Sequence, residues 1–218
     1  MFETNAIERE KQTAAAAAAL LVTDGQRVGL GTGSTVAYLL PALAARELDI
    51  VCVATSPATD AAARALGLRL EPYPPAASLD IAIDGADQIG PGGWVVKGGG
   101  GAHRREKRVA QAAERFVVIA SWNKVVAALA PPVPLELDPD AVDAVTRELG
   151  DVTLRDVPPS PDGGVIADYG GPIGEPGALA ERLDDIPGVL AHGLFEPQLT
   201  SDVLVGRGDD VVVLRSQR

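Results

Sequence analysis

Short apolar runs alternate with Ala-rich or amphipathic segments over the first 130 residues, and such alternation is typical of a parallel sheet covered by helices. The apolar runs predict strands at residues 26–30, 48–54, 68–70, 79–83, 94–96 and 116–120. The intervening segments predict helices at residues 5–23, 36–46, 57–67 and 102–114. We expect Ser34 or Thr35 to cap the second helix and Pro57 to lie in the first turn of the third. This part of the chain is therefore predicted to be a Rossmann-like α/β domain.

The pattern changes after residue 130, where Pro131-Pro132-Val133-Pro134 predicts a break between domains. Beyond it, apolar runs predict strands at residues 135–137, 152–154, 165–168, 203–205 and 211–214, and helices at 139–149 and 176–183. We expect the last strand to return to the first domain. The prediction is a Rossmann-like parallel-sheet catalytic domain of residues 1–130 plus about 204–218. Residues from about 131 to 203 would form a second, smaller α+β domain.

Composition narrows the classes of partner. The chain has 218 residues and a formal net charge of −11, which argues against nucleic acid or an anionic membrane as a partner. Its one cysteine, Cys52, lies in a strand-like run, where we expect a buried apolar residue. Two histidines and one cysteine argue against a zinc site. No secretion signal or apolar run of about 20 residues is visible, so we expect a cytoplasmic protein.

Three glycine-framed polar loops each follow a predicted strand, and they carry the main functional signal. They are Gly31–Thr35, Asp84–Asp87 and Lys97–Gly101. Loops at the carboxyl ends of neighbouring parallel strands converge on one crevice. We therefore expect hydroxyls, two carboxylates, an ammonium and free backbone N–H groups around one small polar ligand.

Each loop also has a purely structural interpretation. The first loop suits a phosphate, but it is neither a Walker A loop nor a dinucleotide fingerprint, since Val36 stands where the third glycine belongs. It could equally be a tight turn from strand to helix. Asp84 and Asp87 could transfer protons, hold a metal or lie in a solvated turn. The tetraglycine loop after Lys97 could bind a negative oxygen or could be a flexible surface loop.

One acidic residue follows the glycines at helical spacing. Glu106 lies between Arg105 and Lys107 and close to Arg104, and we expect these cations to keep its carboxylate ionised, as a general base requires. The alternative is an ordinary acid on the surface of a helix. We expect His103 to lie at the surface at the start of that helix. His192 is expected to be structural.

Five of these blocks, in this order, resemble the type A ribose-5-phosphate isomerase family. The blocks are Gly29–Thr35, Asp84–Asp87, Lys97–Ala102, Arg105–Lys107 and Ser121–Lys124. The segment from Pro187 to Phe195 is similar to a late motif of the same family, so the resemblance covers nearly the whole chain. Two departures stand out: Gln88 replaces the usual Glu, and the pair His103-Arg104 replaces a commonly apolar pair.

The resemblance implies a two-domain α/β enzyme that interconverts ribose 5-phosphate and ribulose 5-phosphate without a metal or cofactor. It implies a homodimer or homotetramer and a small sugar phosphate as the partner. Glu106 would be the catalytic acid and base, assisted by Asp84, Asp87 and Lys97. The substrate-binding residues would be Thr32, Gly33, Ser34, Thr35, Asp84, Gly85, Ala86, Asp87, Lys97, Gly98, Gly99, Gly100 and Lys124. Lys11 is a further candidate for the phosphate end of the substrate.

Other functions remain open on the sequence alone. A sugar-phosphate sensor would use the same phosphate loop, although no basic segment for reading DNA is present. A sugar-phosphate deaminase or lactonase could share the sheet, since a fold does not fix an activity. A nicotinamide dehydrogenase is disfavoured by the missing third glycine.

Overall fold

Six α-helices and fourteen strands lie in the part of the chain that the computed structural model describes, residues 2–75 and 77–215. The helices are α1 (Phe2–Ala19), α2 (Ser34–Ala44), α3 (Pro57–Ala65), α4 (His103–Ala112), α5 (Val142–Leu149) and α6 (Pro176–Asp184). The strands are β1 (Arg27–Leu30), β2 (Val51–Ala54), β3 (Arg69–Leu70), β4 (Leu79–Gly85), β5 (Gln88–Ile89), β6 (Val95–Val96), β7 (Ala113–Ser121), β8 (Val133–Leu137), β9 (Val152–Leu154), β10 (Val165–Tyr169), β11 (Val189–His192), β12 (Leu194–Phe195), β13 (Asp202–Arg207) and β14 (Asp210–Arg215).

The largest sheet has seven strands in the order β14-β13-β7-β4-β1-β2-β3. Its strands run parallel except for β14, which pairs antiparallel with β13. Alternate residues of β4 face opposite sides: Ile81 and Ile83 join the core under α1 and α2, whereas Ala82 joins the core under α4. The sheet is thus covered on both faces, and the predicted α/β fold class is confirmed. β1, β4 and β7 are neighbours, so the loops that follow them leave from one edge.

A smaller antiparallel sheet, in the order β11-β8-β10-β9, packs with α5 and α6 around a separate core. A three-stranded antiparallel sheet, β12-β6-β5, joins the two cores. In it, Val96 and Leu194 face the core of the smaller sheet, whereas Val95 and Phe195 face the core under α4. The strand predicted at residues 94–96, β6, therefore does not belong to the parallel sheet. The loop that starts at Lys97 was expected to follow a strand of the parallel sheet, and this expectation is wrong.

One local prediction, the capping of α2 by Ser34 or Thr35, is wrong. The proline-rich segment after residue 130 leads into β8, which begins at Val133 in the smaller sheet, and the predicted break between domains there stays a prediction. Pro134 is tolerated there because β8 pairs with β11 only from Leu135 onward. No side chain caps α2, whose N-cap residue is Gly33. In α3, by contrast, Pro57 lies in the first turn as predicted, after Ser56 as the N-cap.

Other expectations have clear outcomes. Cys52 is fully buried, and burial raises the pKa of its thiol to about 12, which fits an inert apolar residue. β13 and β14 both belong to the seven-stranded sheet, which supports the proposed return of the chain to the first domain after about residue 203. The exact division into two domains stays a prediction. Within the described residues, the helices are too short or too polar to cross a bilayer.

We predict that Gly206→Ala destabilises the fold by about 1–3 kcal/mol because of overpacking. Helix α1 lies so close to β13 that a Cβ at Gly206 would overlap the backbone carbonyl of Glu10. The matched control is Gly177→Ala in α6, where a Cβ would meet only Trp94 Cζ2 at 3.6 Å. Chemical denaturation of both variants measures the free energy of unfolding. Equal stabilities of the two variants would contradict the close approach of α1.

Candidate active site

A cavity of about 200 Å³ opens at the edge of the large sheet where β1, β4 and β7 end. Its lining residues are Ile7, Lys11, Thr32, Gly33, Ser34, Thr35, Gly85, Ala86, Asp87, Lys97, Gly98, Gly99, Gly100, Glu106, Asn123 and Lys124. These include every residue of the predicted site except Asp84, which is buried behind the wall. The three glycine-framed loops therefore meet around one cavity, as predicted. The loop that starts at Lys97 extends to it from the three-stranded antiparallel sheet.

The loop after β1 leads into a helix terminus that is open to a ligand. Gly31 must lack a side chain, because a Cβ there would overlap the Asp84 carboxylate. Thr32 donates its backbone N–H to Asp84 Oδ1 at 3.0 Å. Since no side chain caps α2, the backbone N–H groups of its first turn are available at the cavity, next to Ser34 and Thr35. Such a terminus favours an anion.

Lys97 lies between two carboxylates in a buried cluster at the cavity wall. Its Nζ is 2.8 Å from Asp84 Oδ2 and 3.2 Å from Glu106 Oε2, and all three side chains are at most 4% exposed. The ammonium also donates to the backbone carbonyl of Gly85 at 2.6 Å. The aromatic ring of Phe195 lies on another side of the ammonium, with its centroid 5.4 Å from Nζ. The cluster is therefore fixed and largely shielded from water.

The cluster determines the protonation of Glu106. Burial, together with the negative charge of Asp84, raises the pKa of Glu106 to about 8, and the Lys97 ammonium opposes part of this rise. Burial alone would lower the pKa of Lys97, but the carboxylates of Asp84 and Glu106 raise it above its ordinary value. Lys97 thus stays charged, whereas Glu106 can gain or lose a proton near neutral pH.

The three cations that flank Glu106 in the sequence do not contact it. Arg104 pairs with Glu136, and Arg105 pairs with Asp162. Lys107 Nζ lies 3.4 Å from the ring of His192. Successive residues of a helix point about 100° apart, so neighbours in sequence face different surroundings. The expectation that these cations keep Glu106 ionised is wrong, and Lys97 takes their place.

Asp87 faces the cavity and fixes the tetraglycine loop. Its Oδ2 accepts the backbone N–H of Gly99 at 2.7 Å. On the other side of the loop, Arg155 Nη1 donates to the carbonyl oxygens of Gly98 and Gly99. Arg155 was not predicted from the sequence, because it lies 54 residues after Gly101, directly after a strand of another sheet, and matches no local motif.

Two further lysines, Lys11 and Lys124, line the cavity. Lys11 comes from α1, and its Nζ lies 2.7 Å from Glu8 Oε1, while Glu8 Oε2 accepts the hydroxyl of Tyr38 at 2.7 Å. Lys124 comes from the turn after β7, next to Asn123. Of the four lysines in the chain, only Lys107 lies away from the lining. Ile7 and Asn123 also line the cavity, although sequence reasoning gave neither a role.

The two histidines are both buried. His103 was expected at the surface, but it is 0% exposed and packs beside Gly98, and burial lowers its pKa to about 3. His192 is structural, as expected: its Nδ1 accepts the N–H of Leu194 at 3.2 Å. Burial, followed by the charge of Lys107, lowers the pKa of His192 to about 4. Among the described residues, no group of three or more His, Cys, Asp or Glu side chains is placed to hold a metal ion.

Comparison with known proteins identifies relatives of this chain. The family model of Ribose 5-phosphate isomerase A (phosphoriboisomerase A) matches residues 51–210. The chain is 44% identical to ribose-5-phosphate isomerase A of Halobacterium salinarum (strain ATCC 29341 / DSM 671 / R1), over 94% of this chain and 95% of the relative. It is similar to the structure of ribose 5-phosphate isomerase A from Methanocaldococcus jannaschii, with a TM-score of 0.88, 32% identity and coverage of 94% and 97%. A D-ribose-5-phosphate isomerase in complex with phospho-erythronic acid aligns with a TM-score of 0.90, 32% identity and coverage of 96% and 99%.

We predict that Asp84→Asn lowers the pKa of Glu106, whereas Asp87→Asn lowers it less. Without the negative charge of Asp84, the Glu106 carboxylate is no longer repelled by it and is the only carboxylate that still pairs with the Lys97 ammonium. The charge of Asp87 raises the pKa of Glu106 less than the charge of Asp84 does. The carboxyl carbon of Glu106 can be titrated by ¹³C NMR, with Glu106→Gln to assign its signal. A pKa that is unchanged or higher in Asp84→Asn would show that Asp84 does not raise the pKa of Glu106.

Proposed function

Because the chain belongs to the ribose 5-phosphate isomerase A family, we propose that this cavity is where it interconverts ribose 5-phosphate and ribulose 5-phosphate, with Glu106 as the base. The protein is an isomerase. One observation carries the assignment of the base: a buried glutamate with a raised pKa lines the cavity 3.2 Å from a lysine ammonium. No other carboxylate among the described lining residues combines this burial with contact to a cation.

The reaction moves a proton between C2 and C1 of the open-chain sugar. The hydrogen next to a carbonyl is weakly acidic, so the enzyme needs a base close to both carbons and a stabiliser for the enediolate oxygen. Glu106 takes the proton from C2 and returns it to C1. A pKa of about 8 suits this exchange, because a base transfers protons best when its pKa lies near the working pH.

Lys97 and the tetraglycine loop stabilise the oxygen that gains negative charge. The ammonium of Lys97 stays protonated beside two carboxylates, so it supplies a fixed positive charge at the cavity wall. Backbone N–H groups of the glycine loop add hydrogen bonds to the same oxygen. Asp84 acts through Lys97, since it lies behind the wall, whereas Asp87 lines the cavity and assists ring opening and the movement of hydroxyl protons.

The phosphate of the substrate binds at the N-terminus of α2. Gly33, Ser34 and Thr35 present backbone N–H groups and hydroxyls there, and the helix terminus adds a partial positive charge. Lys11 and Lys124 line the same cavity and supply full charges. The acidic protein is thereby made locally positive where the anionic substrate must bind.

We also propose a cytoplasmic location and a homodimer or homotetramer. The location follows from the substrate, because a charged sugar phosphate does not cross an apolar bilayer unaided. The assembly rests on the resemblance to the family. Sedimentation equilibrium at micromolar concentration would give the mass, and a monomer would contradict the proposed assembly.

We predict that Glu106→Gln lowers kcat by about 10²–10⁴-fold and leaves KM for ribose 5-phosphate within a few-fold. The amide keeps the shape of the side chain but cannot accept the C2 proton. An exposed acid, Glu114→Gln at the start of β7, is the matched control and should turn over normally. Formation of the ketose is followed in the presence of a chelator. Normal turnover by the Glu106 variant would refute the assignment of the base.

We predict that Lys124→Ala raises KM by about tenfold or more and changes kcat little, because a contact to the phosphate is made equally in the ground state and the transition state. Inhibition by inorganic phosphate should weaken in parallel. The control is Arg9→Ala, which removes an exposed cation that pairs with Asp209 outside the cavity. An unchanged KM for the Lys124 variant would remove this residue from the phosphate site.

A further inference from the structure

Arg155 reaches from the smaller antiparallel sheet to the tetraglycine loop. Its Nη1 donates to the carbonyl oxygen of Gly98 at 2.9 Å and to that of Gly99 at 3.0 Å. The backbone of Arg155 follows β9, and its N–H donates to the carbonyl of Ile166 in β10 at 2.9 Å. The residue is therefore fixed in one sheet while its side chain holds a loop that lines the cavity.

A second contact fixes the plane of the guanidinium. Arg155 Nε donates to Asp168 Oδ2 at 2.7 Å, and Nη2 donates to Asp168 Oδ1 at 2.6 Å. Both side chains are about one fifth exposed, at 19% and 22%. A bidentate pair of this kind sets the orientation of the guanidinium as well as its position. The direction in which Nη1 points toward the loop is set by Asp168.

The hydrogen bonds determine which way two peptide groups of the loop face. The peptide between Gly98 and Gly99 is held at both ends, its carbonyl by Arg155 and its N–H by Asp87 Oδ2 at 2.7 Å. In a trans peptide the C=O and N–H point in opposite directions. Because the carbonyl of Gly99 also binds Arg155 Nη1, the N–H of Gly100 points away from Arg155, as the N–H of Gly99 does.

The N–H of Gly100 thereby becomes a donor for a ligand. Gly100 lines the cavity. The N–H of Gly99, which faces the same way as the N–H of Gly100, donates to Asp87, and Asp87 also lines the cavity. Within the described residues, no backbone acceptor is bonded to the N–H of Gly100. Consecutive glycines have no side chains to fix their conformation, and ordering them is entropically costly, so an external anchor must select one arrangement.

We propose that Arg155 is a positioning residue for the isomerase reaction, turning the peptide between Gly99 and Gly100 so that the N–H of Gly100 donates to the enediolate oxygen. The inference rests on the proposed function of the cavity. Arg155 does not line the cavity, so it acts through the loop and not on the substrate. The conformation of this oxyanion-binding loop thus depends on a residue next to the smaller sheet and not only on residues next to the parallel sheet.

The test is Arg155→Met, which keeps the aliphatic stem and removes the donors. We expect kcat to fall about 10–100-fold, less than for loss of a direct oxyanion donor, with KM for ribose 5-phosphate within about threefold. The affinity for phospho-erythronic acid should fall by a comparable factor, since its carboxylate carries charge where the enediolate gains it. The affinity for inorganic phosphate should not change. Arg155→Lys should recover part of the lost kcat, because an ammonium can still donate to the two carbonyls.

The matched control is Arg115→Met, which removes another arginine–aspartate pair with two hydrogen bonds. Arg115 donates to Asp202 Oδ2 through Nε at 2.9 Å and through Nη2 at 2.6 Å. It lies near the start of β7, whereas the cavity lies where β7 ends. It should lower stability without lowering kcat. The apparent pKa of Glu106 in the pH profile of kcat/KM should stay unchanged in Arg155→Met, because the charges that shift that pKa most, those of Asp84, Lys97 and Asp87, are all retained.

Three results would overturn the inference. They are a normal kcat in folded Arg155→Met, an equal loss of affinity for inorganic phosphate and phospho-erythronic acid, or equal losses of kcat in the Arg155 and Arg115 variants. If Arg155→Met does not fold, the inference is tested with Arg155→Lys and Asp168→Asn instead. At least one of these two variants must show a reduced kcat with an unchanged KM for ribose 5-phosphate. A wild-type protein without turnover would refute the proposed function, whereas the comparison of the two ligands would still test the loop.

Discussion

One buried ammonium shared by two carboxylates is the constraint on which the site depends. Lys97 lies within 3.2 Å of both Asp84 and Glu106, so the cluster carries one excess negative charge away from water. A buried charge without compensation is strongly unfavourable, and one carboxylate must therefore bind a proton readily. Asp84 accepts backbone N–H groups from Thr32 and Gly85 in addition to its contact with Lys97. Burial raises the pKa of both carboxylates, and these hydrogen bonds oppose the rise at Asp84, whereas the pKa of Glu106, which lines the cavity, is raised to about 8.

Holding Lys97 in this position requires parts of the chain that are far apart in sequence. Its backbone N–H donates to the carbonyl of Gly193 at 2.9 Å, between β11 and β12. The three-stranded sheet that carries Lys97 contributes residues to the cores of both larger sheets. Asp84 comes from the parallel sheet and Glu106 from the helix packed on it. The geometry of the cluster is therefore set by how the two halves of the protein pack together.

An acidic chain places several positively charged groups around its cavity. The formal net charge is −11, yet Lys11, Lys97 and Lys124 line one small cavity together with the uncapped N-terminus of α2. Local positive charge is what a sugar phosphate needs to bind. Most of the acidic residues lie outside the lining of the cavity.

The sequence by itself determined the strands and helices of the parallel sheet, the three glycine-framed loops and nearly all of the cavity lining. These features are local, because the spacing of apolar residues, the positions of glycines and the residues that favour turns can all be identified from short stretches of consecutive residues. It missed β5, β11 and β12, which are two to four residues long and are stabilised by pairing with other strands, in the case of β11 and β12 with strands that are distant in sequence. Only the tertiary structure decided that His103 is buried, that Lys97 and not the flanking cations contacts Glu106, and that Arg155 holds the glycine loop. The reason is physical: burial, charge pairing and the orientation of a flexible loop depend on which surfaces meet after folding, and neighbours along the chain do not specify that.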